Sequence, residues 1–188
     1  MSTAGIIFSN IHDKSVPELT RQRTMGSVPF GCRYRLIDFS LSNMVNSGIT
    51  NIGIIAQYNY QSLMDHIGTG KDWDLARRSG GIRILPPYIT AFSENDTNHY
   101  THRLEAVRGI FTFIKNMTDE YIVFCDCDAI CNMDLSEIIN THIKSGADMT
   151  MAVKNVFVTG NENSDLTITK SDAEGRLTQI RMSDVADN

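Results

Sequence analysis

The sequence predicts an α/β domain with a largely parallel sheet. Segments typical of strands and of helices alternate along the 188 residues, which is the order that joins parallel strands through helices. The run from Tyr121 to Cys125 is almost unbroken in apolar residues, as in a strand buried on both faces. Asp38 and Gly48 bracket an apolar stripe, as a helix N-cap and a terminating glycine would.

Each further element follows from a local pattern. Short apolar runs predict strands at residues 6–8, 52–56, 82–85, 121–125, 149–153, 166–169 and 177–180. Helices are predicted between Asp38 and Gly48, at residues 62–67 and 104–116, and from Asp134 to Lys144, where Glu137 completes a capping box. The apolar face of the 104–116 helix is formed by Leu104, Val107, Ile110, Phe111 and Ile114.

The charge and composition of the chain exclude some classes of protein. Lys and Arg number 17 against 22 Asp and Glu, a formal net charge of −5, whereas a general nucleic-acid binder needs a basic face. No apolar run reaches the roughly 18 residues of a membrane span, and the N-terminus lacks the pattern of a signal peptide. Three of the four cysteines are clustered, which suits reduced thiols. We therefore expect a cytoplasmic protein that binds neither nucleic acid nor membrane.

Three segments lie where a ligand would bind in such a fold. Ligands of open parallel sheets bind beyond the carboxyl ends of the strands, and the segments there are residues 9–27, 57–60 and 126–128. Asp126 and Asp128 form an Asp-x-Asp, and carboxylates are ligands that Mg²⁺ prefers. The alternative is that both are turn residues.

Other chemically active residue types give weaker signals. The clustered cysteines lack the spacing of a zinc site and are expected to be small buried hydrophobes; they are Cys125, Cys127 and Cys131. The five histidines are scattered and are expected to be surface or packed residues. Candidate phosphate contacts, against the alternative of a solvated surface, are Arg33, Arg35, Arg77, Arg78 and Arg83.

A distinctive block runs from Ser27 to Ile49. It reads SVPFGCRYRLIDF and then, after Ser40, LSNMVNSGI. Shorter matches follow in order, namely Gln57-Tyr58, Ser62-Leu63, Trp73-Asp74-Leu75, Gly80-Gly81, Leu85-Pro86-Pro87, and Asp128 before Met133-Asp134. Together these segments closely resemble the early region of bacterial glucose-1-phosphate adenylyltransferases, over nearly the whole chain.

The resemblance implies a Rossmann-like nucleotidyltransferase domain at residues 1–188, incomplete and truncated before a C-terminal left-handed β-helix domain. It implies transfer of an adenylyl group from ATP to glucose 1-phosphate, with release of pyrophosphate, for glycogen or starch synthesis. By the same resemblance, Gln57, Gly80 and Gly81 are nucleotide-binding positions, and Asp128 is a ligand of Mg²⁺.

The loop after the first strand departs from this family. The family's Gly-Gly-x-Gly-x-Arg-Leu is replaced by residues 10–16, so the glycines that let a backbone approach phosphate are absent. Ser15 stands in place of the family's Arg, and Met25 in place of the Lys that follows it. His102-Arg103-Leu104 stands where the family has Gly-Thr-Ala. Asp128 is the catalytic-type residue that remains.

Three functions therefore stay open. The first is a regulatory subunit with a degraded catalytic loop, which assembles with a catalytic glucose-1-phosphate adenylyltransferase subunit. Where nucleotide binding is retained, Mg²⁺ is the expected cofactor, and ATP and glucose 1-phosphate are candidate ligands; otherwise no cofactor is expected. The second is an active sugar-nucleotide adenylyltransferase in which Lys14, Arg21 or Arg23 replaces the missing cations. The third is an Asp-x-Asp glycosyltransferase.

Overall fold

The computed structural model describes residues 2–86, 100, 102–155 and 167–182. It divides into two compact units, Met1–Ile139 and Asn140–Asn188. The strands of the first unit are β1 (Thr3–Phe8), β2 (Pro29–Phe30), β3 (Tyr34–Arg35), β4 (Asn51–Ile55), β5 (Gly81–Leu85) and β6 (Tyr121–Asp126). The helices are α1 (Pro17–Thr20), α2 (Leu36–Asn46), α3 (Gln61–Ile67), α4 (Arg103–Gly109), α5 (Phe111–Lys115) and α6 (Leu135–Ser145), which ends in the second unit.

The main sheet of the first unit is parallel throughout, with the strand order β5-β4-β1-β6. Phe8, the last residue of β1, pairs with Ile55 of β4 on one side and with Asp126 of β6 on the other. The three strands therefore end at the same edge of the sheet. This arrangement confirms the predicted α/β fold with a parallel sheet.

The core lies on both faces of this sheet because side chains of β1 alternate between them. Ile7 packs in one apolar cluster with Leu41 of α2 and Leu63 of α3. Ile6 and Phe8 pack on the other face with residues of α4 and of its C-terminal end. Full burial of one such aliphatic side chain contributes about 1.5–3 kcal/mol.

The first unit's best-defined helix, α2, begins earlier than the sequence predicts. Arg35 is its N-cap, and Asp38 is the third helical residue, whose carboxylate accepts the backbone N–H of Arg35 at 2.9 Å. The prediction of Asp38 as the N-cap is therefore wrong by three residues. The predicted termination is confirmed, because Gly48 has a φ of +79° and the N–H of Ile49 donates back to the carbonyl of Met44.

Two predictions about burial are wrong. The 104–116 segment forms two helices that break at Ile110, where ψ is 13°, next to the weak helix former Gly109. Leu104, in the first of these helices, is 80% exposed, and Phe111, which follows the break, is 61% exposed. Residues 121–125 do form β6, but this strand pairs with β1 alone among the described strands, and Phe124 is 46% exposed.

In the second unit, β7 (Thr167–Ser171) and β8 (Leu177–Met182) form an antiparallel hairpin. The backbone N–H of Gly175 donates to the carbonyl of Asp172 and closes the turn between them. Predicted strand residue Leu166 lies outside the described residues, and residues 149–153 form no strand. Within the described ranges, no helix has the length and apolar character needed to cross a bilayer.

Candidate functional site

The three segments predicted to face a ligand meet beyond the carboxyl ends of β1, β4 and β6. The side chain of Asn10, which follows β1, accepts the backbone N–H of Gln57 at 2.7 Å and donates to the carbonyl of Tyr58 at 3.3 Å. The backbone N–H of Cys127 donates to the carbonyl of Phe8 at 3.1 Å. These bonds hold the loop after β1 against the ends of both neighbouring strands.

The loop after β1 is folded around a buried carboxylate. Asp13 is 3% exposed, and its two oxygens accept the backbone N–H of Met25 at 2.8 Å and the side-chain amide of Asn10 at 2.6 Å. Its carbonyl accepts the hydroxyl of Thr20 at 2.6 Å. Burial raises the pKa of Asp13 above its usual value, although the hydrogen bonds from Asn10 and Met25 oppose this shift.

The backbone N–H groups of this loop donate to carbonyls within the loop itself. Residues 13–15 form a short 3₁₀ turn in which the N–H of Asp13 donates to Asn10 and the N–H of Ser15 donates to His12. Met25, at the position of the family's Lys, is 5% exposed and packs in the core. The loop therefore bonds its N–H groups internally and buries a carboxylate and an apolar side chain, whereas a triphosphate cradle would offer free N–H groups and cations.

A cluster of four charged or titratable side chains lies at the edge of this loop. His12 Nδ1 is 2.6 Å from Asp128 Oδ2. Arg103, the first residue of α4, donates to both oxygens of Asp126 at 3.1 and 2.5 Å and also contacts His12 Nε2 at 3.1 Å. We call His12, Arg103, Asp126 and Asp128 the His12 cluster.

The contacts of the His12 cluster show which ring nitrogen of His12 carries a hydrogen. Arginine has no hydrogen-bond acceptor, so Arg103 donates to Nε2 of His12, and Nδ1 carries the hydrogen that is donated to Asp128. The hydrogen bond with Asp128 raises the pKa of His12 above 6.5 and lowers the pKa of Asp128 below its usual value. When Nε2 is protonated, its N–H points at the N–H groups of the Arg103 guanidinium. Acidification therefore weakens the contact between His12 and Arg103.

The donor set of the cluster fits Mg²⁺ poorly. Mg²⁺ requires near-octahedral oxygen coordination, whereas here an imidazole nitrogen stands against Asp128 and a guanidinium holds both oxygens of Asp126. A magnesium ion on Asp128 would have to compete with both resident groups.

The predicted nucleotide-binding residues do not all lie at this site. Gln57 is 9% exposed at the same edge, where its side chain donates to the carbonyl of Tyr100 at 3.3 Å. Gly80 and Gly81 precede and begin β5, beside Thr50 and Asn51, and so lie at the opposite edge of the sheet. A Cβ on Gly81 would lie 2.6 Å from the carbonyl of Leu75, so local packing accounts for this glycine.

The cysteines follow the prediction in part. Cys127 is buried, and burial raises the pKa of the half-buried Cys125 to about 12, as expected for inert thiols. Cys131 is exposed, as is Cys32, so the prediction that all three clustered cysteines are buried is wrong. All four cysteines are free thiols.

Several candidate phosphate-binding arginines have other contacts. Arg35 donates to the carbonyl and the hydroxyl of Ser62, at 2.5 and 2.7 Å, and so links α2 to α3. Arg77 pairs with Asp74, and Arg83 stacks on the ring of Phe113. These contacts account for the three side chains without a ligand.

Sequence reasoning missed two members of the His12 cluster. The sequence places His12 among surface or packed histidines, and it singles out Arg103 only as part of the departure from the family's Gly-Thr-Ala. The position of His12 in a loop that follows a parallel strand was a usable signal, because that edge is where ligands bind. The contact with Arg103 spans 91 positions in sequence and leaves no local pattern.

The chain is similar in sequence to several curated proteins. The chain is 41% identical over 162 residues to a glucose-1-phosphate adenylyltransferase of Clostridium acetobutylicum, which covers 86% of this chain and 41% of that protein. It is 37% identical over 147 residues to the glycogen biosynthesis protein GlgD of Geobacillus stearothermophilus, covering 78% of this chain and 42% of that protein. The chain thus spans about two fifths of the length of these relatives.

The family model that matches is that of the nucleotidyl transferases, over residues 15–181. The match includes most of the sheet, the Ser27–Ile49 block and Asp128, and it begins after residues 10–14 of the loop that departs from the resemblance. Because the match extends over far more than half of the sequence, the chain belongs to the nucleotidyl transferase family.

Proposed function

We propose that this chain belongs to a regulatory subunit of a glucose-1-phosphate adenylyltransferase in glycogen biosynthesis. In this proposal it assembles in the cytoplasm with a catalytic homologue, and the partner carries out the transfer from ATP to glucose 1-phosphate. The relatives named glucose-1-phosphate adenylyltransferase and GlgD support the reaction and the pathway. We further propose that residues 1–188 are part of a longer protein.

The loop after β1 carries this proposal. Adenylyl transfer places negative charge on phosphate oxygens, which fixed cations and N–H donors must stabilise. This loop places the buried Asp13 carboxylate and the buried Met25 side chain in that region, and exposed Ser15 lacks the charge of the family's Arg. Losing one such contact typically reduces the rate by about 10²–10³, so losing several leaves little activity.

One observation favours a second candidate, an active enzyme with relocated cations. Arg21 and Arg23 line an open cavity of about 480 Å³ beside the loop, together with Leu19 and Val28. Glu18 lines the same cavity and reduces its positive charge. No comparable observation favours a glycosyltransferase, since the family match is to nucleotidyl transferases.

The test is adenylyltransferase activity of the full-length protein, alone and mixed with the catalytic homologue of the same organism. We expect no turnover alone, and a raised rate or a changed effector response in the mixture. The control is a partner in which the aspartate that aligns with Asp128 is changed to Asn. That control should abolish activity in the mixture.

Three results would contradict the proposal. Turnover by the protein alone that is lost on changing Arg21 and Arg23 to Ala would establish the second candidate instead. Activity that persists in the mixture with the inactivated partner would place catalysis in this chain. A mixture that neither co-purifies nor changes the partner's rate or effector response would remove the regulatory role.

A further inference from the structure

Two carboxylates converge at the end of β6. One oxygen each of Asp126 and Asp128 and one ring nitrogen of His12 all lie within 4.8 Å of one another. Two negative charges at such a distance repel one another, and a cation that faces them relieves the repulsion. That positive charge can come from a bound divalent ion or from a side chain of the chain itself.

Arg103 supplies a positive charge from within the chain. Its Nη2 lies 2.5 Å from Asp126 Oδ2 and 3.1 Å from His12 Nε2, and its Nε donates to Asp126 Oδ1 at 3.1 Å. The guanidinium therefore holds both oxygens of Asp126 in the two-pronged geometry that suits a carboxylate. His12 Nδ1 donates to Asp128 at 2.6 Å, so each carboxylate already has a resident donor.

The packing of α4 fixes where Arg103 lies. Ala106 and Ile110 follow Arg103 by three and seven positions, so the three residues share one face of the helical segment. Ala106 and Ile110 are fully buried and pack in one apolar cluster with Ile6 and Phe8 of β1. The face that holds α4 against the sheet thus brings Arg103 to the edge where β1 and β6 end.

We propose that Arg103 is a built-in counter-cation that takes the place of a divalent ion at Asp126 and Asp128, so that this edge of the sheet is held together without bound metal. The inference goes beyond the proposed regulatory function and does not rest on it, since it concerns the chain's own side chains and not their effect on a partner. It replaces the Mg²⁺ ion on Asp128 that the resemblance implies.

Both resident groups lie in segments that depart from the adenylyltransferase resemblance. Arg103 is the middle residue of His102-Arg103-Leu104, which stands where the family has Gly-Thr-Ala, and His12 belongs to the altered loop after β1. A threonine carries no charge and could not pair with Asp126 in this way. The departure from the family therefore introduces a cation at the position that contacts the carboxylate.

An incoming divalent ion would have to displace both resident groups. Arginine is always protonated and is tethered to the chain, so it does not leave as a bound ion does. The Arg103 side chain is 49% exposed, which places its contact at the weak end for hydrogen bonds to charged groups, at about tenfold in affinity. Replacing this contact and the one from His12 would together weaken ion binding by about a hundredfold relative to two free carboxylates.

The test is metal binding by the full-length protein after treatment with a chelator. Mn²⁺ is the probe for a hard divalent ion, because the electron paramagnetic resonance signal of free Mn²⁺ falls when the ion binds. The reference is the variant Asp126→Asn/Asp128→Asn, which removes both carboxylates and so counts any ions bound elsewhere. We expect the original protein to bind no more Mn²⁺ than this reference, and Mg²⁺ to shift both melting temperatures equally.

Removing the resident groups should uncover an ion site. Relative to the original protein, Arg103→Met should raise the Mn²⁺ affinity of these carboxylates about tenfold, and Arg103→Met combined with His12→Ala about a hundredfold. Mg²⁺ should also raise the melting temperature of the combined variant more than that of the original protein, because a ligand stabilises the state that it binds. Arg108→Met removes an exposed arginine from the same helix and should leave Mn²⁺ binding unchanged.

Circular dichroism establishes that each variant is folded. The inference is overturned if the original protein binds one more Mn²⁺ than Asp126→Asn/Asp128→Asn, a comparison that requires no change at Arg103. It is equally overturned if the folded combined variant gains no Mn²⁺ over the original protein, or if Arg108→Met gains as much. Either result leaves the regulatory role to the activity measurements on the mixture, which do not depend on this contact.

Discussion

The buried carboxylate of Asp13 gives the sharpest test of how the loop after β1 is held. In Asp13→Ala, the buried N–H of Met25 loses its acceptor, while the Asn10 amide keeps its contact with the carbonyl of Tyr58. A buried donor left unpaired costs about 1–3 kcal/mol, and hydrogen bonds to charged groups contribute about 1.5–3 kcal/mol each. Removing a desolvated carboxylate offsets part of this loss, so we expect a net destabilisation of about 2 kcal/mol.

Urea unfolding measures this change. With a slope of about 2 kcal/mol per molar urea, the midpoint should fall by about 1 M. Asp13→Asn keeps an oxygen for Met25 but turns an amide group toward Asn10, so it should lose about half as much. Asp72→Ala, at an exposed carboxylate, is the matched control and should stay within about 0.5 kcal/mol of the unsubstituted chain.

The difference in the free energy of unfolding between the original chain and Asp13→Ala should depend on pH, and the pKa of Asp13 gives the direction. Because burial raises the folded-state pKa of Asp13, the folded chain takes up this proton more readily than the unfolded chain. The free energy of unfolding should therefore rise, relative to Asp13→Ala, as the pH falls through that raised pKa towards 3.8. An unchanged urea midpoint in Asp13→Ala, or a difference that shrinks on acidification, would refute this account of the loop.

Two further changes test the sheet and the His12 cluster. Gly53→Ala should destabilise the chain by about 1–3 kcal/mol in urea unfolding, because the new Cβ would lie 2.7 Å from Leu85 Cδ1 and overpack the core; an unaffected midpoint would contradict this packing. Asp128→Asn should lower the pKa of His12, followed by its ring resonances in an NMR titration, because the Asp128 bond raises that pKa above 6.5. The added stabilisation that the charge of protonated His12 gives this contact is fully present below pH 6.5 and is lost as the pH rises through the raised pKa, so a variant with the same pH profile as the original would disprove it.

The strands of the main sheet were predictable from the sequence because each is a short apolar run between polar residues, glycine or proline. Parallel topology then predicted that residues after β1, β4 and β6 would meet, and Asn10 and Gln57 do. The exposure of Phe124 was not predictable, since an apolar run does not reveal how many neighbours its strand has.

The candidate site was predictable in outline and not in its contacts. Asp128 was found from its position after a buried run, but His12 and Arg103 contact the carboxylates across long sequence separations. Gly80 and Gly81 are nucleotide-binding positions only by resemblance, whereas the strand predicted at residues 82–85 already places them at its amino end, away from the edge where ligands bind. Their backbone bonds and close packing beside Thr50 give them a local role instead.

The residues that match the resemblance mainly pack in the core, whereas the residues that depart from it lie in the loop where the family binds its ligand. The block that resembles the adenylyltransferases contains Ile37 and Leu41, which are fully buried, and Asn43, which donates to the carbonyl of Cys131. Changes there would create cavities or unpaired donors and would destabilise the fold by several kcal/mol. Exposed Ser15 makes no comparable core contact, so losing the family's Arg at this position affects ligand chemistry while the fold persists. A subunit that keeps its assembly surfaces and loses its own turnover would show this combination, which is why the loop is the deciding feature of the proposed regulatory role.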